Sequence, residues 1–161
     1  MKKETKEFYT PNLEEFHVGF EYDALDGFLD GTLKSTSDYR NSKWNKNIVT
    51  NLNDLPFIDR ALTGMNAENG LKGITVKKLD RDDIEDLGWS LNQSTPDGSK
   101  CYKLLDYILY FLPKLKRVCL KKFNEEGNTD VLFYGNLKNK TELRKLMQQI
   151  GIEVKPTNNK L

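Results

Sequence analysis

Hydrophobic and polar residues alternate with a period of two in several separate segments of the first half of the chain. In residues 14–22, Phe16, Val18, Phe20 and Tyr22 alternate with polar residues, which predicts a half-buried strand. A short strand is expected within residues 44–50. Another is expected within residues 73–79, with Ile74 and Val76 facing inward. These segments predict strands that pack one face on a core and expose the other.

The last third of the chain gives the strongest strand signal. Residues 102–112, 117–123 and 131–137 are rich in Tyr, Leu, Ile, Val and Phe, and they are separated by short turn sequences. Strands joined by such short connections pair with their chain neighbours. We therefore predict a three-stranded antiparallel meander over this region.

Helical spacing appears in three places. Residues 55–63 predict a short helix that ends at Gly64, and residues 80–88 predict one or two helical turns. In the second of these, Asp80 occupies the N-cap position, Asp83 lies in the first turn, and Gly88 ends the helix. After Asn139 an apolar stripe with 3.6-residue spacing predicts a C-terminal helix, with Glu142 at the capping-box position. The stripe consists of Leu143, Leu146, Met147 and Ile150.

Together these elements indicate an α+β fold. We expect a mostly antiparallel sheet of about six strands with a C-terminal meander, two short helices, and a C-terminal helix packed on the sheet. The chain of 161 residues has the length of one domain. We assign residues 1–152 to a single domain and residues 153–161 to a loose C-terminal tail.

Composition narrows the class of protein further. The longest apolar run, residues 107–112, is far short of the ~20 residues that span a membrane, and no apolar segment follows the charged N-terminus. We therefore expect a soluble, cytoplasmic protein that is not associated with membranes. The 2 cysteines, Cys101 and Cys119, do not form a disulfide framework, and we expect two buried free thiols.

Three segments of the chain, in order, carry a resemblance to known proteins. They are FHVGFEY at residues 16–22, ITVKKLDRDDIEDLGW at residues 74–89, and LFYGNLKNKTELRKLMQQIGI at residues 132–152. Together they resemble small uncharacterised proteins encoded by tailed phages and prophages of gut Bacteroidota. The resemblance implies a phage accessory protein and brings with it no activity, ligand or catalytic residue.

A search for reactive residues finds no catalytic constellation. The single histidine, His17, lies opposite the apolar row of its predicted strand, where a surface position explains it without chemistry. The acidic residues between Asp80 and Asp86 could hold a hard cation, but helix capping explains the same residues without a metal. We therefore expect no enzyme activity, no metal site and no cofactor.

Charge is distributed unevenly along the chain. Residues 1–99 hold 12 basic and 18 acidic residues, a net charge of −6, whereas residues 100–161 hold 13 and 6, a net charge of +7. In residues 100–123 basic residues are interleaved with aromatic ones, as in platforms for single-stranded nucleic acid. The other interpretation is that the rings belong to the core and the cations to a solvated face. The candidate contact residues are Lys103, Lys116, Arg117, Lys121, Lys122, Tyr107 and Tyr110.

Two functions follow as hypotheses. The first is a phage-type accessory protein that acts in the host cytoplasm by binding an unidentified phage or host protein. An uncovered sheet edge or the exposed face of the C-terminal helix would provide the contact. The alternative is a nucleic-acid-binding module that uses the basic, aromatic-rich strands of residues 100–123.

Overall fold

A computed structural model describes residues 6–17, 19–27, 29, 42–51, 53, 55–63 and 73–153. The chain divides into two compact units, Met1–Lys78 and Leu79–Leu161. The assignment of residues 1–152 to a single domain stays a prediction. Each unit has its own cluster of buried hydrophobic side chains. Of the predicted loose tail, residues 153–161, only Glu153 lies within the described residues.

The first unit contains a four-stranded antiparallel sheet. Its strand order is β1-β4-β2-β3, so the last strand of the unit pairs between the first two. Ile74 and Val76 of β4 are buried, as the period-two pattern predicts. The elements are β1 (Phe8–Tyr9), β2 (Glu21–Leu25), β3 (Trp44–Ile48), helix α1 (Leu55–Thr63) and β4 (Ile74–Lys77).

The strand predicted for residues 14–22 is wrong over most of its length. Leu13–Glu15 forms a 3₁₀ turn, and β2 begins only at Glu21. Gly19 has a φ of 88°, and the Phe20 amide donates to the His17 carbonyl at 2.9 Å, so the backbone turns before the strand starts. The aromatic side chains of this segment are nevertheless buried in the core, because a turn can place alternate residues on one side as a strand does.

The second unit contains a five-stranded antiparallel meander in which neighbouring strands follow one another along the chain. The predicted strand over residues 102–112 is in fact two strands, which turn at Leu105 and Asp106. Leu105 has a φ of 52°, a conformation that residues other than glycine rarely adopt. The strands are β5 (Ser90–Ser94), β6 (Lys100–Leu104), β7 (Tyr107–Leu112), β8 (Arg117–Phe123) and β9 (Thr129–Gly135).

The α+β class is confirmed, but its arrangement differs from the prediction. The described residues contain nine strands in two sheets instead of about six in one. The number of strands differs partly because the single strand predicted over residues 102–112 divides into β6 and β7, and because β1 was not predicted. The two helices of the second unit, α2 (Arg81–Asp86) and α3 (Lys140–Gln149), agree with the predicted positions.

Polar side chains cap the N-termini of both helices of the second unit. The Asp80 carboxylate accepts the Asp83 amide at 3.0 Å, and the Asp83 carboxylate accepts the Asp80 amide at 3.3 Å. This reciprocal pair confirms the predicted capping role of the acidic cluster. At α3 the Asn139 side chain accepts the Glu142 amide at 3.0 Å, whereas the Glu142 carboxylate accepts the Lys138 amide rather than that of Asn139.

One face of the five-stranded sheet, here called the helix face, packs against α2 and α3. Tyr102, Leu109 and Leu120 lie side by side across β6, β7 and β8 and are fully buried. Leu143 and Met147 of α3 belong to the same buried cluster. Burial of each large aliphatic side chain stabilises the fold by about 1.5–3 kcal/mol. The residues that alternate with this row on each strand form the opposite face, here called the outer face.

The adjacent residues Leu120 and Lys121 test this assignment of the two faces. We expect Leu120→Ala to lower the free energy of unfolding by about 2–5 kcal/mol, because it leaves a cavity in the core. Lys121→Ala removes only an outer-face contact, and we expect a loss of less than about 1 kcal/mol. Urea unfolding followed by circular dichroism measures both values. Equal losses would show that β8 does not alternate between a buried and a solvated face.

Candidate nucleic-acid interface

The outer face carries two parallel rows of side chains that run across the strands β6–β9. The cross-strand register places the members of each row directly opposite one another. The tyrosine row consists of Cys101, Tyr110, Cys119 and Tyr134. The lysine row consists of Lys103, Ile108, Lys121 and Val131. Consecutive strands therefore contribute a cation on β6, a ring on β7, a cation on β8 and a ring on β9.

Each tyrosine of the outer face has a basic group over its ring. The Lys121 ammonium nitrogen lies 5.4 Å from the centroid of the Tyr110 ring. The central carbon of the Arg117 guanidinium lies 5.2 Å from the centroid of the Tyr134 ring. Such cation–π contacts are worth about 0.5–1 kcal/mol at exposed sites. Tyr134 is 53% exposed, so its ring is available to a ligand.

The outer face has no acidic side chain to offset these cations. The strands β5–β9 lie wholly within the described part of the chain, and no residue that their register places on this face is Asp or Glu. Asp97 lies in the turn between β5 and β6, and Asp130 pairs with Lys122 toward the helix face. The face therefore presents a positive potential that attracts anions.

Four of the seven predicted contact residues lie together on this face: Lys103, Tyr110, Arg117 and Lys121. Lys116 is exposed and directly precedes Arg117, in the connection that leads into β8, and it has a φ of 51°. These five residues form the candidate interface together with Tyr134.

Tyr107 and Lys122 do not belong to the candidate interface. Tyr107 packs against the helix-face core, and the Lys122 ammonium nitrogen lies 5.5 Å from the centroid of its ring. The reason is geometric, since Tyr110 lies three positions after Tyr107 on one strand, and an odd offset places two side chains on opposite faces. The sequence prediction grouped the two tyrosines because it did not assign the faces of this strand.

Tyr134 is the contact residue that sequence reasoning missed. It lies in the predicted third strand of the meander, outside the basic segment of residues 100–123. Its relation to Arg117 comes from the pairing of Cys119 with Tyr134, which places β9 beside β8. No local sequence signal marks it, because the two residues are far apart along the chain.

The two cysteines also lie on the outer face and flank Tyr110. Both are free and only partly buried, whereas the sequence led us to expect buried thiols. Partial burial of Tyr110, followed by its contact with Cys101, raises the pKa of the phenol above its ordinary value of 10.0. The phenol therefore stays neutral at physiological pH and adds no negative charge to the face.

The β5–β6 turn at one end of the sheet is held by the Asp97 side chain. Its carboxylate accepts the Thr95 hydroxyl, the Ser99 hydroxyl at 2.9 Å and the Ser99 amide at 3.3 Å. The Thr95 bond, followed by those from Ser99, lowers the pKa of Asp97 from 3.8 to about 2. The sequence of this turn, Thr95-Pro96-Asp97-Gly98, is rich in turn-forming residues, and Gly98 has a φ of 88°.

Asp97 gives this turn a defined dependence on pH. A lowered pKa in the folded protein means that the stabilisation is complete above the unfolded value of 3.8 and is lost as the pH falls toward about 2. We expect a carboxyl NMR titration of Asp97 to have its midpoint near 2. In the variant Thr95→Val with Ser99→Ala the midpoint rises toward 3.8, since two donors are lost. An unchanged midpoint in that variant would refute this account of the turn.

The remaining chemical candidates have structural explanations. His17 packs edge-on against Phe20, with ring centroids 5.7 Å apart. In the described part of the chain no group of three His, Cys, Asp or Glu side chains is placed to hold a metal ion. No helix within the described residues is long and apolar enough to cross a membrane.

Comparisons with protein-family models, with curated proteins and with solved structures find no match to this chain. The resemblance to proteins of tailed phages and prophages therefore stays a prediction.

Proposed function

We propose that this protein binds single-stranded nucleic acid through the outer face of its C-terminal sheet. The observation that carries the proposal is the alternation of cation and ring across β6–β9, on a face without acidic side chains. Phosphates supply the anions that such a face attracts, and unpaired bases supply flat rings that stack on tyrosines.

The magnitudes favour the replacement of a cation by a base over each ring. A base stacked on an aromatic side chain contributes about 1–3 kcal/mol, whereas an exposed cation–π contact contributes about 0.5–1 kcal/mol. A base therefore displaces Lys121 from Tyr110, or Arg117 from Tyr134, and the displaced cation becomes available to a phosphate. Both side chains are long and flexible enough to make this change.

Catalytic activity at this face has less support than binding. The residues that the register of β6–β9 places on the outer face include two tyrosines, two thiols, Phe123, Thr129, aliphatic side chains and cations. None of them is a histidine or a carboxylate that could orient a nucleophile. We therefore propose a binding module without catalytic activity. Combined with the resemblance to phage proteins, this suggests a phage accessory protein that acts in the host cytoplasm.

Adjacent lysines on opposite faces of β8 provide a charge-matched test. We expect Lys121→Glu to weaken binding of a labelled 12-nucleotide oligothymidine on the order of tenfold at low salt, because it puts a negative charge beside the phosphates. Lys122→Glu makes the same change in net charge on the other face, and we expect a loss of less than about threefold from the long-range field alone. Fluorescence anisotropy across a salt series measures both variants against the unaltered protein.

Two results would contradict the proposal. One is the absence of binding by the unaltered protein even at low salt. The other is an equal loss of affinity in the two variants, which would indicate a response to net charge alone. A thermal melt of each variant confirms that the fold is intact.

Protein binding, the leading hypothesis from sequence, has separate support at strand β9. This strand lies at the edge of the five-stranded sheet. Val131, Leu132 and Tyr134 are exposed by 59%, 42% and 53%. An exposed hydrophobic edge strand can accept a further strand from a partner through its unpaired backbone groups. A phage or host protein that contributes such a strand is the second candidate ligand.

A substitution at Leu132 distinguishes protein binding at β9 from nucleic-acid binding on the outer face. We expect Leu132→Lys to abolish capture of a protein partner, because a lysine at the centre of an edge strand opposes strand addition. The same variant adds a cation near the outer face, so binding of oligothymidine is retained or strengthened. Pull-down with the immobilised protein followed by mass spectrometry, compared between the variant and the unaltered chain, measures the first effect. Retention of the same partner by Leu132→Lys would exclude β9 as its docking site.

A further inference from the structure

The two rows of the outer face differ in chemistry and run parallel to one another. The lysine row places cations on β6 and β8, and the tyrosine row places rings on β7 and β9. We infer that a bound single strand runs across the β-strands, from β6 toward β9, with its phosphates along the lysine row and its bases on the tyrosine row. This inference rests on the proposed function and specifies how the same face would hold its ligand.

The spacing of the rows follows from sheet geometry. Neighbouring strands lie about 4.7–4.9 Å apart, so Lys103 and Lys121, two strands apart, are separated by roughly 10 Å at the backbone. The backbone positions of Tyr110 and Tyr134 have the same separation for the same reason. On β6, β7 and β8 the two rows are two residues apart, or about 6.8 Å, as between Cys119 and Lys121. On β9 a register shift places Val131 and Tyr134 three residues apart.

A nucleotide matches this arrangement because its phosphate and its base are separate groups joined by a sugar. With the phosphates along one row, the bases project sideways onto the other row. The aliphatic members of the lysine row, Ile108 and Val131, lie between or beside the cations, where they face the sugars. Val131 is 59% exposed and is available for such a contact.

Arg117 lies on the other side of the tyrosine row from the lysines. It pairs with Leu112 at the far end of β8 and contacts the ring of Tyr134. A base that stacks on Tyr134 therefore lies between the lysine row and Arg117. The phosphates of the bound nucleic acid therefore lie on the side of the lysine row. Its bases lie on the side of Arg117.

The arrangement requires unpaired bases. In a duplex each base is already stacked and paired, so the tyrosines cannot reach a base face without breaking that structure. The lysine row alone gives only weak, salt-dependent attraction to duplex phosphates. A π-face is common to all bases, so the tyrosine row selects single strands with little preference for sequence.

An oligonucleotide without bases distinguishes the contribution of the tyrosine row to binding from that of the lysine row. The experiment uses the full chain and two labelled probes of equal length and charge, a 12-nucleotide oligothymidine and its abasic counterpart. The variant Tyr110→Ala with Tyr134→Ala is expected to bind oligothymidine about a hundredfold more weakly and to bind the abasic probe unchanged. The conservative variant Tyr110→Phe with Tyr134→Phe keeps both rings, and its affinity for oligothymidine is expected to stay within about threefold of the unaltered value.

The lysine row is tested by the salt dependence of the same measurements. The variant Lys103→Gln with Lys121→Gln is expected to reduce the slope of log affinity against log salt by about 1.4 for both probes, the value for two lost phosphate contacts on a single strand. Lys122→Gln, on the helix face, is expected to leave the slope unchanged. The tyrosine variants leave the slope unchanged for either probe.

The outcomes separate this inference from the proposed function. Failure of the unaltered protein to bind either probe contradicts the proposed function. Equal binding of both probes, with the same loss on tyrosine substitution, supports attraction to phosphates but overturns the assignment of bases to the tyrosine row. Circular dichroism of each variant shows whether the sheet is intact. If the alanine variant does not fold, the comparison of the two probes on the unaltered protein still tests the assignment, and stronger binding of oligothymidine than of the abasic probe is the expected result.

Discussion

The burial of one face of the five-stranded sheet under α2 and α3 determines the arrangement of the whole second unit. Tyr102, Leu109 and Leu120 form a buried row that contacts the apolar stripe of α3, and the Trp89 indole donates to the Met147 sulfur at 3.3 Å within the same core. A strand cannot slip by one residue without exposing this row and burying cations in its place. Every outer-face residue therefore has a fixed orientation, including those that form the candidate interface.

The two faces of the sheet have different roles, one in stability and one in the proposed binding, so the candidate interface is compatible with a stable fold. The apolar residues of the helix face supply the stabilisation, so the outer face is free to carry lysines, an arginine and exposed tyrosines. The cation–π contacts order the side chains of the outer face in the absence of a ligand. Breaking one of them on binding costs less than a stacked base contributes. The same register that buries Leu120 presents Lys121 to solvent one residue later.

Much of the fold was accessible from local sequence patterns. The positions of the helices, the reciprocal capping of Asp80 and Asp83, and the inward orientation of Ile74 and Val76 follow from spacing and composition, and the structure confirms them. The turn at Leu105 and Asp106 was missed, because Asp106 is its one turn-favouring residue and a leucine occupies the position with a φ of 52°. The turn before β2 was missed for a different reason. Its buried aromatic residues alternate with polar ones at the two-residue period that is typical of a strand.

By itself, the sequence determined the class of fold, the basic and aromatic character of residues 100–123, and five of the six residues of the candidate interface. It did so because charge, ring content and hydrophobic period are properties of single residues and their near neighbours. Only the tertiary structure decided that Tyr107 and Lys122 leave this set and that Tyr134 joins it. Those assignments depend on strand register, and register is set by the burial of residues far apart in the chain against the common core under α3.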